Sequence, residues 1–381
     1  MRRLECLDGL RGVLAVYVML GHMAPFAVLP GRLAGLLSHG GAAVDMFFIL
    51  SGMVIVGSLE RFRYRPRPFL AARAARIFPA FLIIFPLALI VQPLPDGFAL
   101  MPWIGPDSAA RHIWSDGWPD AWAAEIAAHL TMTHGLFPNC VLPDMWVSFL
   151  GSAWSLSTEW QFYVFALLAG RPAGQATGDQ RRLTALLLVL AASGLVWQCA
   201  APDAWHFSRA FLPNKAQYFA LGVASATFLG DGARSRYALV LMAVLMLCAE
   251  QGGAAKLVAP MAWTLCLAAQ RISRDPQHAA PRVSSLWAVV ALCLRPVVLL
   301  LGGRIAGWFG AVSYTLYLAN EPIQKLLGVG LSRLVAGDAS LFTMLWLPGA
   351  TLLPLVLAAW LHRRIEMPSL RWTRGRVARM A

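Results

Sequence analysis

Long apolar runs broken by short arginine-rich segments constrain this chain more than any other feature. Of its 381 residues 58% are hydrophobic and 13% charged, against about 25% charged in a soluble domain. Mean hydropathy is +0.60. Lipid offers no partner for free backbone groups, so such runs must close their hydrogen bonds internally as helices. The expected fold class is therefore all-α, a polytopic membrane protein whose first partner is the lipid bilayer. The net charge of +13 would suggest nucleic acid in a soluble chain. Here the basic residues sit in breaks between apolar runs, the pattern of cytoplasmic loops. No basic–aromatic patch stands apart from the runs, which argues against a nucleic-acid partner.

Arg2 and Arg3 set the start inside, so a first span at about 9–28 runs outward. The basic start is signal-like, but no convincing cleavage site follows, and a retained span is expected. A second span, about 43–59, returns to RFRYRPRPFLAARAAR at 61–76, the strongest cytoplasmic marker. A third, about 77–95, leads to a polar stretch at 96–146 carrying His112, His129 and His134. That stretch reads as an interfacial loop with an amphipathic helix around 120–134. Further spans are expected near 148–169, 183–201, 213–229, 237–251, 255–271, 305–329 and 341–361. With both termini cytoplasmic the crossings must be even in number. About ten fit if 286–301, interrupted at Arg295–Pro296, is a half-element. Residues 1–370 then form one transmembrane domain and 371–381 a basic cytoplasmic tail. The six cysteines have no metal-ligand spacing, and no metal site is expected. Cys140 and Cys199 are the pair that an outer-side disulfide would use, free thiols being the preferred reading.

Ionisable residues at membrane depth are costly and usually face a protein interior or a cavity. Arg11 and His22 share the first span. Their spacing makes about three turns, so both point the same way, about 16 Å apart along the axis. His22 is placed in the outer half, with Asp45 at a similar level in the second span. Glu159, in WSLSTEW, lies deeper in the fourth span. These three suggest a general base, His22, oriented or relayed by Asp45 or Glu159 and acting on an alcohol. The bland alternatives are a helix-linking histidine, an N-cap at Asp45, and an arginine partner at Glu159. Arg11, Arg73 and Arg76 stand at the cytoplasmic end. They read either as snorkelling cations or as a phosphate-recognising group, since guanidinium forks match phosphate oxygens.

Six strings in order resemble the integral membrane acyltransferase-3 family: LDGLRG with the Arg11-to-His22 spacing, GGAAVDMFFILSGM, RAARIFPAF from Arg73, WSLSTEWQFY, FGAVSYTLYL and IEMPSLR. The resemblance runs from Leu7 to about Leu370 and implies a ten-helix membrane domain. It implies that His22 is catalytic, that Glu159 matches the motif glutamate, and that Arg11, Arg73 and Arg76 serve an acyl-CoA donor. It further implies O-acyl transfer, mostly acetyl from acetyl-CoA, to a glycan or lipid-linked saccharide at the outer side of an inner (plasma) membrane. The chain departs from the family at Ala43, at Met53 and at Asn320, where a histidine is common. Asn320 can hydrogen-bond but cannot titrate. The rival is a proton-coupled transporter or flippase of a lipid-linked sugar; the arginine cluster and the lack of an evident repeat weigh against it.

Overall fold

The structure, a computed structural model, describes residues 5–114, 117–170, 179–274, 295–335 and 337–380. Among them there is no strand, only one isolated bridge between Pro138 and Phe207. Helices α1 (Glu5–Met23), α2 (Gly31–Leu37), α3 (Gly40–Arg61) and α4 (Pro66–Val91) come first. Two short helices, α5 (Ala110–Ile113) and α6 (Trp122–Leu130), interrupt a long loop. Then follow α7 (Trp154–Ala169), α8 (Gln180–Ala200), α9 (Ala216–Asp231), α10 (Arg234–Gly252) and α11 (Ala254–Arg274). A short helix α12 (Arg295–Leu301) meets α13 (Arg304–Val335) at a 60° bend. The last are α14 (Ala339–Leu361) and α15 (Met367–Met380).

Five stretches are long and apolar enough to cross a membrane: Cys6–Phe26, Gly31–Arg61, Pro66–Val91, Gln180–Ala200 and Ala339–Thr373, or six with the bent pair α12–α13. The chain is a multi-pass membrane protein. Each apolar run expected to span coincides with a helix, and residues 286–294 of the half-element lie outside the described residues. Large apolar side chains such as Leu168, Leu239, Ile305 and Leu334 are about three-quarters exposed, a surface suited to lipid rather than water. Two boundaries differ from the sequence reading. The arginine-rich stretch before residue 77 is already helical, because Pro66 supplies a helix-compatible first turn. Residues 148–153 are irregular and turn-like, so Glu159 lies in the second turn of α7, not deep in a long helix.

Close backbone approach fixes the main helix pairs. A Cβ on Gly12 would stand 2.5 Å from the Gly310 nitrogen, and one on Gly310 2.0 Å from the Asp8 oxygen. The glycines of LDGLRG thus let α1 lie directly on α13. The same device joins α3 to α9, where a Cβ on Gly222 would meet the Ile49 oxygen at 2.1 Å. Prolines inside helices free carbonyls, and neighbours satisfy them. Pro354 leaves the Ala350 oxygen without its helical donor; Gln324 Nε2 donates to it at 3.1 Å. Pro79 does the same to Ala75, whose oxygen accepts from Ser369 Oγ at 3.4 Å.

The loop between α4 and α7 caps one end of the bundle. Trp103 Nε1 from this loop donates to the Phe26 oxygen and Trp346 Nε1 from α14 to the Met23 oxygen, serving carbonyls at and just past the end of α1. Phe26 stacks on Trp114 at 3.8 Å. Cys140 and Cys199 are free and exposed. Further along, the His129 and His134 rings stack at 4.1 Å, fully buried, with Phe85 on the other face of His129. Burial lowers the His129 imidazole to about 4, against an opposing hydrogen bond with the Glu125 oxygen. Burial and then the neighbouring His129 push His134 well below its ordinary 6.5. The unfolded chain therefore takes up protons below about pH 6.5 that the folded chain refuses, and stability falls with pH towards about 4. The expected slope is about 1.4 kcal/mol per pH unit for each imidazole. Thermal unfolding in detergent between pH 7.5 and 5 measures it, and His129→Phe should flatten it.

Candidate active site

Sequence forces the ionisable groups of α1 onto one side, and α13 covers that side. His22 is half-buried, and its Nδ1 lies 2.8 Å from Asn320 Oδ1. Asn320 is fully buried, and its amide nitrogen donates to the Leu316 and Tyr317 oxygens at 3.2 and 2.6 Å. With that nitrogen committed, Oδ1 is the acceptor and His22 Nδ1 the donor. The neutral ring then carries its lone pair on Nε2, the tautomer a general base requires. The group set against His22 is thus Asn320, not Asp45 or Glu159. The neighbouring Glu321 accepts from the Gly151 and Ser152 N–H groups, both at 3.0 Å, and ties α13 to the turn that opens α7.

Asp45 is 1% exposed and lies inside α3, so it is not the N-cap of that helix. Its Oδ1 pairs with Lys215 Nζ at 2.6 Å and its Oδ2 stands 3.8 Å from Lys256 Nζ. A charge buried at this depth needs such partners. The expectation that Asp45 orients His22 is therefore replaced by an ion pair that joins α3 to the start of α9 and to α11. Sequence reasoning missed Lys215: it stands at the edge of an apolar run, and its partner lies 170 residues away.

Glu159, Arg11 and Arg76 do meet. They line one cavity of about 70 Å³ with Ser51, Tyr314 and Tyr317, enough room for a few waters. Glu159 Oε1 accepts from Ser51 Oγ at 2.7 Å and from the Tyr163 hydroxyl. Tyr314 donates to the Ile77 oxygen at 2.6 Å and fixes α13 beside Arg76. Arg11 and Arg76 are half-buried, and neither guanidinium has a hydrogen bond or ion pair within 4 Å among the described residues. Within the lining two arginines face one carboxylate, with Asp8 and Glu366 in electrostatic reach from outside it, so the cavity itself presents guanidinium groups to an anionic ligand. Arg73 lies beside the cavity rather than in its lining; its guanidinium covers the Tyr163 ring at 5.6 Å, and its buried Nε has no partner. His22 also lies outside the lining, which reaches Tyr317, one turn before Asn320.

Among the described residues no group of three or more His, Cys, Asp or Glu side chains has a metal-binding arrangement. Lys215→Met would leave Asp45 with one distant cation and is expected to cost about 3–5 kcal/mol. Thermal unfolding of the purified protein checks this, and Asp45→Asn in the same background should recover part of the loss.

The sequence model of an acyltransferase domain matches residues 4–363. Comparison with curated proteins gives no match, and comparison with solved structures gives none. With nearly its whole length matched, the chain belongs to the membrane acyltransferase-3 family.

Proposed function

We propose that the protein is an O-acyltransferase that moves an acetyl or short acyl group from acyl-CoA to a hydroxyl of a glycan or lipid-linked saccharide. The observation that carries this reading is the His22–Asn320 contact, which leaves His22 Nε2 as an acceptor poised for a hydroxyl proton. In the reaction the acceptor oxygen gives its proton to Nε2 and attacks the thioester carbonyl. The carbon–sulfur bond breaks, and the coenzyme A thiolate takes the proton from the imidazolium. Asn320 holds the ring and its tautomer throughout.

Donor phosphates are assigned to the arginine end of the cavity. Arg11 and Arg76 supply uncommitted donors there, and Arg73 adds positive charge beside them. The acyl-pantetheine arm would then run along α1 from Arg11 towards His22, about 16 Å of axial rise. Glu159, held by Ser51 and Tyr163, sets a negative charge beside the two arginines rather than acting on the thioester. The arginine end is assigned to the cytoplasm and the long loop between α4 and α7 to the outer side of the plasma membrane. Ten crossings place both termini inside, and the full spanning unit covers residues 1–370 with a basic tail after it. The acyl donor is the only co-substrate in this reading.

General acid–base groups contribute typically 10²–10⁴-fold. His22→Ala should therefore reduce transfer from labelled acetyl-CoA by at least about 100-fold without loss of membrane insertion. Asn320→Leu should lower turnover by roughly tenfold or more while leaving the donor KM in place, because it removes only the orienting contact. A His22→Ala protein with full turnover would overturn the assignment. Arg76→Ala should instead raise the KM for acetyl-CoA roughly tenfold with a smaller change in kcat, as expected for a lost charge-assisted phosphate contact. Steady-state kinetics with the full chain in detergent separates the two.

A further inference from the structure

A second cluster of charge remains after His22 and the arginine cavity are accounted for. Arg209 is exposed on the loop that precedes α9. Its guanidinium lies 4.9 Å over the Trp146 ring and 5.9 Å over the Trp154 ring. It has no carboxylate partner among the described residues. On the same Trp154 ring lies Lys215 Nζ, at 5.7 Å. Lys215 shares Asp45 with Lys256, whose side chain is 37% exposed. Two lysines thus share the Asp45 carboxylate, and Arg209 adds a third cation on the Trp154 ring. Such an excess of like charge is unfavourable until an anion joins it.

The cluster also connects to the cavity. Trp154 packs edge-on against Phe48 at 5.7 Å, and Phe48 lines the cavity. The next residue, Ser155, donates to the Tyr317 hydroxyl at 3.0 Å, and both line the cavity as well. Arg209 itself is within electrostatic reach of Tyr317. A wall of aromatic residues therefore runs from an open cationic patch to the chamber that holds Arg11 and Glu159. Aromatic rings offer a flat apolar face with little entropic cost on ordering, and guanidinium forks grip carboxylate or phosphate.

We propose that this patch binds the acceptor, and that the acceptor is an anionic saccharide. Its carboxylate or phosphate is held by Arg209, with Lys215 and Lys256 behind it, and its ring lies against Trp146. The inference rests on the acyltransferase reading for the word acceptor; the anion preference stands on the patch alone.

Equilibrium dialysis of the full-length protein in neutral detergent tests it without requiring turnover. Two probe pairs are used: trigalacturonic acid against the neutral galactose trisaccharide of the same linkage, and mannose 6-phosphate against mannose. At least one charged probe should bind roughly tenfold more tightly than its neutral counterpart at low salt, and the preference should shrink as salt is raised. Arg209→Gln should erase that preference, and Arg209→Lys should keep part of it. Neither substitution should alter coenzyme A binding. Equal binding of both members in both pairs overturns the proposal, as does a preference that survives Arg209→Gln. A patch that responds to phosphatidylglycerol but not phosphatidylcholine vesicles, and to neither saccharide pair, is a lipid contact and also overturns it. Loss of coenzyme A binding in the wild-type protein would tell against the donor assignment instead, and the saccharide comparison would still decide this one.

Discussion

The contact between α1 and α13 governs the rest of the site. Glycines at Gly12 and Gly310 bring the two backbones so near that no side chain fits between them. Helix α1 then has one possible rotation against its neighbour. Arg11 faces the cavity with Arg76 and Glu159, and His22 faces Asn320 three turns further along. A helix that could turn about its axis would carry both groups away together, because their spacing puts them on one face.

Polar satisfaction is the second constraint, and it shapes how the helices lock. In lipid an unpaired carbonyl has no water to turn to. The internal prolines of α4 and α14 therefore act as sockets rather than as breaks. Gln324 reaches the carbonyl freed by Pro354 and also the Met19 oxygen at 3.3 Å, so one amide joins α1, α13 and α14. Asp45 obeys the same rule by another route: buried and ionisable, it is matched to Lys215 rather than left for chemistry.

Much of the fold was legible, because hydropathy and charge report lipid and water directly. Every expected span is a helix, and the amphipathic helix expected around 120–134 is present as Trp122–Leu130. Boundaries were read less well where charge and helix coincide. RPFLAARAAR carries loop-like charge on a helical backbone, so α4 starts eleven residues before the expected 77. Within the site, Arg11 and Arg76 are grouped in the sequence by their cytoplasmic depth, whereas Glu159 is expected with His22 and instead lines the arginine cavity. The partner of His22 is not legible, since a neutral asparagine carries no charge signal and lies 298 residues away. The lysine partners of Asp45 escape for the same reason: depth along a helix is visible in one sequence, but which face a neighbour presents is not.

Glu321 gives the arrangement a mechanical property. It grips two successive N–H groups at the turn before α7 and is the immediate neighbour of Asn320 on α13. Any displacement of that turn pulls on the residue beside the one that holds the imidazole. The loop end of the bundle and the His22 ring are thus linked through a single peptide unit. A molecule that settled against the 146–154 segment would be felt at His22 without touching it.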